Sequence, residues 1–136
     1  MAGSRALWLA LALAAIALLA LARWLDPSHG FGTHEAFGLA PCGFRSSTGL
    51  PCPACGLTTA FAELARGDLL SSLRAHPLGL PLFAAIAATP IIALRAAQRG
   101  EGLLAWIDRL ALDRAAYVIA LSVLATWAAR LVALAR

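Results

Sequence analysis

Three long apolar blocks alternate with stretches in which charge, glycine and proline gather. The first runs from Ala6 to Ala22, between Arg5 and Arg23. As a helix it measures about 25 Å, slightly short of the roughly 30 Å hydrocarbon core of a bilayer. Snorkelling of Arg23 extends it to Leu25. Trp8 and Trp24, near its two ends, suit the headgroup region. The second block runs from Pro77 to Leu94, between His76 and Arg95. Pro77 fits the first helical position, where its missing N–H costs nothing. Pro90 predicts a kink, which lipid-embedded helices tolerate when neighbours satisfy the freed carbonyl. The third runs from Ala115 to Ala129 and continues past Arg130 to Ala135. For it to span, Arg130 must snorkel or face another helix.

Shorter helical periods fill the connections. Leu57, Ala60, Phe61, Leu64 and Ala65 share one face. Gly67 suits the position just past a helix end, and Asp68 suits the N-cap of the next helix. Leu103, Leu104, Trp106, Ile107, Leu110 and Ala111 share an arc opposite Glu101, Asp108, Arg109 and Asp113, the pattern of a helix lying in the membrane interface. The expected fold is an all-α integral membrane protein with transmembrane helices at about 6–25, 77–94 and 115–135. An amphipathic interfacial helix at about 103–112 and short helices at about 53–66 and 69–76 complete it. The whole chain, 1–136, reads as one membrane domain, with 26–76 an extramembrane or interfacial segment that holds the cysteines. The first block also resembles a signal peptide, with Ala20-Leu21-Ala22 as its cleavage site. Its apolar run is longer than the usual 7–15 or so residues, which favours a retained span.

Composition strengthens the membrane reading. Hydrophobic residues make up 61% of the chain and charged residues 13%, against about 45–50% and about 25% in soluble domains. The net charge of +4 comes from arginine alone. These arginines flank apolar blocks and form no basic stripe, so nucleic acid is not an expected partner. Arg95, Arg99, Arg109 and Arg114 crowd the short second connection, whereas Arg23, Arg45, Arg66 and Arg74 are spread over a longer first one. The positive-inside rule therefore places the second connection in the cytoplasm. The arginine-only, alanine-rich usage points to a bacterial inner membrane. The bilayer is the expected partner. Alanine-rich helix faces also permit a homo-oligomer or a membrane-protein partner.

Chemistry is legible in one segment, Pro41-Cys42-Gly43 followed by Thr48-Gly49-Leu50-Pro51-Cys52-Pro53-Ala54-Cys55-Gly56-Leu57-Thr58. With Gly67-Asp68 and Pro77-Leu78 downstream, it resembles the bacterial membrane-protein family of unknown function numbered 2752. Departures from the family pattern are Ala54 in place of Gly, Thr59 in place of Arg and His76 in place of Asn. The resemblance implies membrane location and no particular activity.

The cysteines themselves permit three readings. Cys-Pro-x-Cys-Gly is the form of a zinc knuckle. Tetrahedral zinc takes four ligands, so Cys42, Cys52 and Cys55 would need His34 or His76, or else His29, as the fourth. In a redox protein, Cys52 would open a helix whose dipole stabilises its thiolate, with Cys42 as the resolving thiol. No strand pattern supplies the thioredoxin frame that usually carries such a pair. In a purely structural role, two cysteines would form a disulfide in an oxidising compartment and the third would be left over. The three histidines have no acid or nucleophile spaced to make a catalytic set. There is no phosphate loop or zinc-protease motif either, so an enzyme is not the favoured class.

Overall fold

A computed structural model describes residues 2–27, 33, 35, 38–109 and 112–134, and these form helices with no strand among them. In chain order the helices are α1 (Ala2–Trp24), α2 (Gly43–Thr48), α3 (Leu57–Ala65), α4 (Leu69–Ala75), α5 (Gly79–Arg99), α6 (Leu103–Arg109) and α7 (Leu112–Leu134). Three stretches are long and apolar enough to cross a membrane, Ser4–Trp24, Gly79–Arg99 and Arg114–Ala133. At 1.5 Å per residue each covers about 30 Å, the thickness of the hydrocarbon core.

The core is a seam between α1 and α5. Trp8, Ala15 and Ala22, the buried residues of α1, lie seven apart, and the partly buried Ala12 and Leu19 fall between them. A seven-residue repeat keeps one stripe of a helix against its partner over two-turn intervals. Trp8, at the start of α1, packs against Ala93, Ala96 and Ala97, at the end of α5, so the two helices run antiparallel. Alanine at these positions lets the backbones approach, which replaces the hydrophobic driving force that lipid cannot supply. α5 also reaches further than the apolar pattern predicts. It passes Arg95 and ends at Gly100, whose φ of 69° is the left-handed cap. Its start moves from Pro77 to Gly79, because His76 is extended and turns the chain there.

Trp8 departs from its expected place in the headgroups. It is 1% exposed and meets Trp106 edge-on at 5.7 Å. Its Nε1–H donates to the Glu101 carbonyl at 2.8 Å, and Ser4 Oγ donates to the same oxygen at 2.7 Å. Trp24, by contrast, is 87% exposed. Where the amphipathic helix at about 103–112 was expected, α6 covers Leu103–Arg109, with Leu103 and Trp106 packed against the Trp8 cluster.

α3 lies against α1, α4 and α5, and it does so through its small residues. Thr59, Ala60 and Ala62 are buried, while Phe61 stands edge-on to Phe83 of α5 at 5.7 Å. Gly79 makes this fit possible, since a Cβ there would lie 2.5 Å from that of Ala60. Asp68 caps α4 as its sequence suggests, accepting from the Ser71 N–H and Oγ–H at 2.9 and 2.7 Å.

Gly79→Ala is expected to lower the thermal midpoint in detergent, with an overpacking cost of about 1–3 kcal/mol. Ser72 Oγ is buried beside it without a hydrogen-bond partner, so Ser72→Ala is expected to be neutral or mildly stabilising in the same assay. Because α1 forms half of the core seam, N-terminal sequencing of membrane-extracted protein is expected to read a terminus ahead of Trp8. A terminus at Arg23 would contradict that packing.

Candidate thiol centre

The cysteine segment folds from its own turn chemistry. Cys42 stands at the N-cap of α2. That short helix is knitted by back-bonds from Ser46, Ser47 and Thr48 hydroxyls to carbonyls three or four residues earlier, with Thr48 Oγ1 reaching the Phe44 carbonyl at 2.6 Å. Such local bonds replace an apolar face, since α2 buries none of its residues. Gly49, at φ 74°, then reverses the chain. Residues 53–56 form turns, and Gly56, at φ 92°, delivers the chain into α3.

This arrangement corrects the expected helix over 53–66. α3 begins at Leu57, so Cys52 lies before the helix, not at its N-terminus. Pro53 and the left-handed Gly56 hold the intervening residues in turns. Cys42 is held below its ordinary value, chiefly by the Arg45 backbone N–H and then by the Cys52 thiol. Burial, followed by the nearby Cys52 thiol, pushes Cys55 up to about 12.

The three sulfurs meet. Cys42, Cys52 and Cys55 Sγ all lie within 4.8 Å of one another, with Cys52 and Cys55 at 3.1 Å. All three are free thiols and partly buried. Thiolates around a tetrahedral zinc, with Zn–S near 2.3 Å, stand about 3.8 Å apart. The cluster therefore needs only small shifts to take an ion. It opens on a cavity of about 570 Å³ that Glu35, Arg45 and Thr59 also line. Thr59 Oγ1 and Thr33 Oγ1 share a buried hydrogen bond of 2.7 Å, which pins the preceding loop to α3.

Of the histidines suggested as a fourth ligand, His29 and His34 lie outside the described residues. His76 does not join the sulfurs. It is 2% exposed, and both its ring nitrogens are engaged. Nδ1 accepts from the Leu78 N–H at 3.2 Å, which leaves the proton on Nε2 to donate to the Pro53 carbonyl at 3.0 Å. Burial lowers its pKa and the charge of Arg130 lowers it further, while the Pro53 bond opposes both.

The contact of α7 with this loop was not among the sequence expectations. Trp127 Nε1–H donates to the Pro51 carbonyl at 2.7 Å, and Arg130 donates to the Cys55 carbonyl at 2.8 Å. The Trp127 ring also stands edge-on to Phe44 at 6.2 Å. Arg130, expected to snorkel or to face another helix, is directed at a backbone oxygen. The hint available was the three-residue spacing of Trp127 and Arg130, which puts a donor pair on one helix face.

Residues 42–89 match the model of a family described as a protein of unknown function, DUF2752. That stretch takes in the cysteine segment, α3, α4 and the first half of α5. No curated protein and no solved structure matches the chain.

In metal-free protein, stability is expected to hold above about pH 6.5, the ordinary value for His76, and to fall below it. The unfolded chain takes up a proton there, while the folded state, with its lowered pKa, still excludes it. Thermal melts across pH 5–8 would show this loss, and His76→Gln is expected to flatten it.

Proposed function

We propose that this multi-pass membrane protein binds a thiophilic divalent metal, zinc in the first instance, through Cys42, Cys52 and Cys55. The meeting of the three sulfurs within 4.8 Å carries the reading. Cys42 lies ahead of α2 and the other two cysteines lie after it, so an ion bound to all three closes the loop around that helix. His34 is the proposed fourth donor, and its chain neighbours Thr33 and Glu35 are placed at α3 and at the cavity. Metal binding to thiols displaces their protons, so affinity is expected to rise with pH.

On this reading the metal is structural. It stiffens an extramembrane cap on a three-span domain of the bacterial inner membrane, which serves as a binding or assembly module for itself or for another membrane protein. The 3.1 Å contact of Cys52 with Cys55 favours a second reading, thiol–disulfide exchange. That reading lacks the helix N-terminus at Cys52 on which its activation rested.

Elemental analysis and free-thiol counting on detergent-purified protein separate the two. The metal reading expects about one zinc per chain with masked thiols, lost in each Cys→Ser variant and weakened in His34→Ala. Absence of metal together with a disulfide and one free thiol would overturn it in favour of exchange.

A further inference from the structure

The carbonyls of residues 51–55 follow an alternating pattern. Cys52 O and Ala54 O accept from the loop's own N–H groups, those of Cys55 and Leu57, both at 3.1 Å. Pro51 O, Pro53 O and Cys55 O accept from side chains remote in sequence, Trp127, His76 and Arg130. Every carbonyl in the knuckle is thus satisfied, and the odd-numbered ones are satisfied from outside. Two of the three outside donors belong to α7. Among the described residues, α7 also meets α6, and its Trp127 ring meets Phe44 of α2.

We propose that Trp127 and Arg130 are positioning residues of the thiol centre, and that the third span is therefore part of that centre. Their bonds bracket Cys52-Pro53-Ala54-Cys55 at its two ends. The peptide planes on either side of Cys52 and Cys55 cannot rotate freely while these carbonyls are held, and those rotations set the spacing of the two sulfurs. The centre consequently comprises the knuckle, Cys42 and the far end of α7. Ion binding and docking of α7 are coupled, and the coupling is reciprocal: whatever α7 adds to metal affinity, the metal adds to docking of α7.

The metal arm of the test rests on the zinc reading, and the thiol arm does not. Variants Trp127→Phe, Arg130→Ala and Arg130→Lys are compared with wild type and with Trp106→Phe, a like change in the Trp8 cluster. The full-length proteins are purified in detergent, and zinc affinity is measured by chelator competition. The same proteins, stripped of metal, are then followed for the rate of maleimide labelling of their cysteines. Trp127→Phe and Arg130→Ala are each expected to weaken zinc roughly threefold to tenfold, the weight of one hydrogen bond, and to speed labelling by a similar factor. Arg130→Lys, which keeps a cationic donor, is expected to recover most of both, and Trp106→Phe to change neither. Should Arg130→Ala fail to accumulate, Trp127→Phe decides, because it keeps a ring beside Phe44 and removes the N–H. Wild-type affinity and labelling rates in Trp127→Phe would overturn the proposal. If wild type binds no zinc, the metal reading falls and the labelling rates alone decide.

Discussion

A backbone carbonyl withdrawn from water must find a donor within the protein. The cysteine knuckle meets this constraint in its hardest form. Pro51 and Pro53 have no N–H, so the segment cannot knit itself into a helix or a ladder. What results is a turn whose remaining carbonyls are taken by an indole, an imidazole and a guanidinium. Those bonds hold the sulfurs near one another, seat α7 on the loop, and fix the buried His76 ring at the entrance to α5. Leaving any of these oxygens without a partner would cost about 1–3 kcal/mol, enough to shift a centre built on separations of a few ångströms.

The same solution appears at the opposite end of the seam. There the link between α5 and α6 exposes the Glu101 carbonyl, and Trp8 and Ser4 of α1 capture it. Two of the four tryptophans thus act as buried or half-buried donors to irregular backbone. An indole suits this role because one edge is a strong donor while the rest of the ring packs as hydrocarbon. Trp8 packs among the alanines of the α1–α5 seam, and Trp127 lies against Phe44. In both, the ring is held by packing and the N–H is thereby aimed.

Much of this fold was legible because it is periodic. The three spans followed from block length. The caps at Gly67 and Asp68 followed from turn chemistry, and the cysteines marked the one site. What escaped has no period. α2 has no apolar stripe, only serine and threonine back-bonds, so no periodic signal marks it as a helix. The start of α3 was misplaced because Pro53 resembles a first helical residue, whereas Gly56 in the left-handed region makes the actual entry. Trp8 looked like an interface anchor because position along a span does not reveal which side faces a partner helix. The His76–Pro53 and Arg130–Cys55 bonds join residues 23 and 75 apart. A single sequence carries no mark of such pairings.

The long reach of the clasp also orders events during folding. α1, α3, α4 and α5 are consecutive or nearly so, and they bury one another as soon as α5 has entered the bilayer. The knuckle lies inside that first assembly, yet the Trp127 and Arg130 bonds must wait for α7, which follows α5 in chain order. The thiols therefore emerge early and acquire their final geometry late. In the interval, the cap exists with its sulfurs loosely held, open to an ion, an oxidant or a chaperone before the last span arrives to set them.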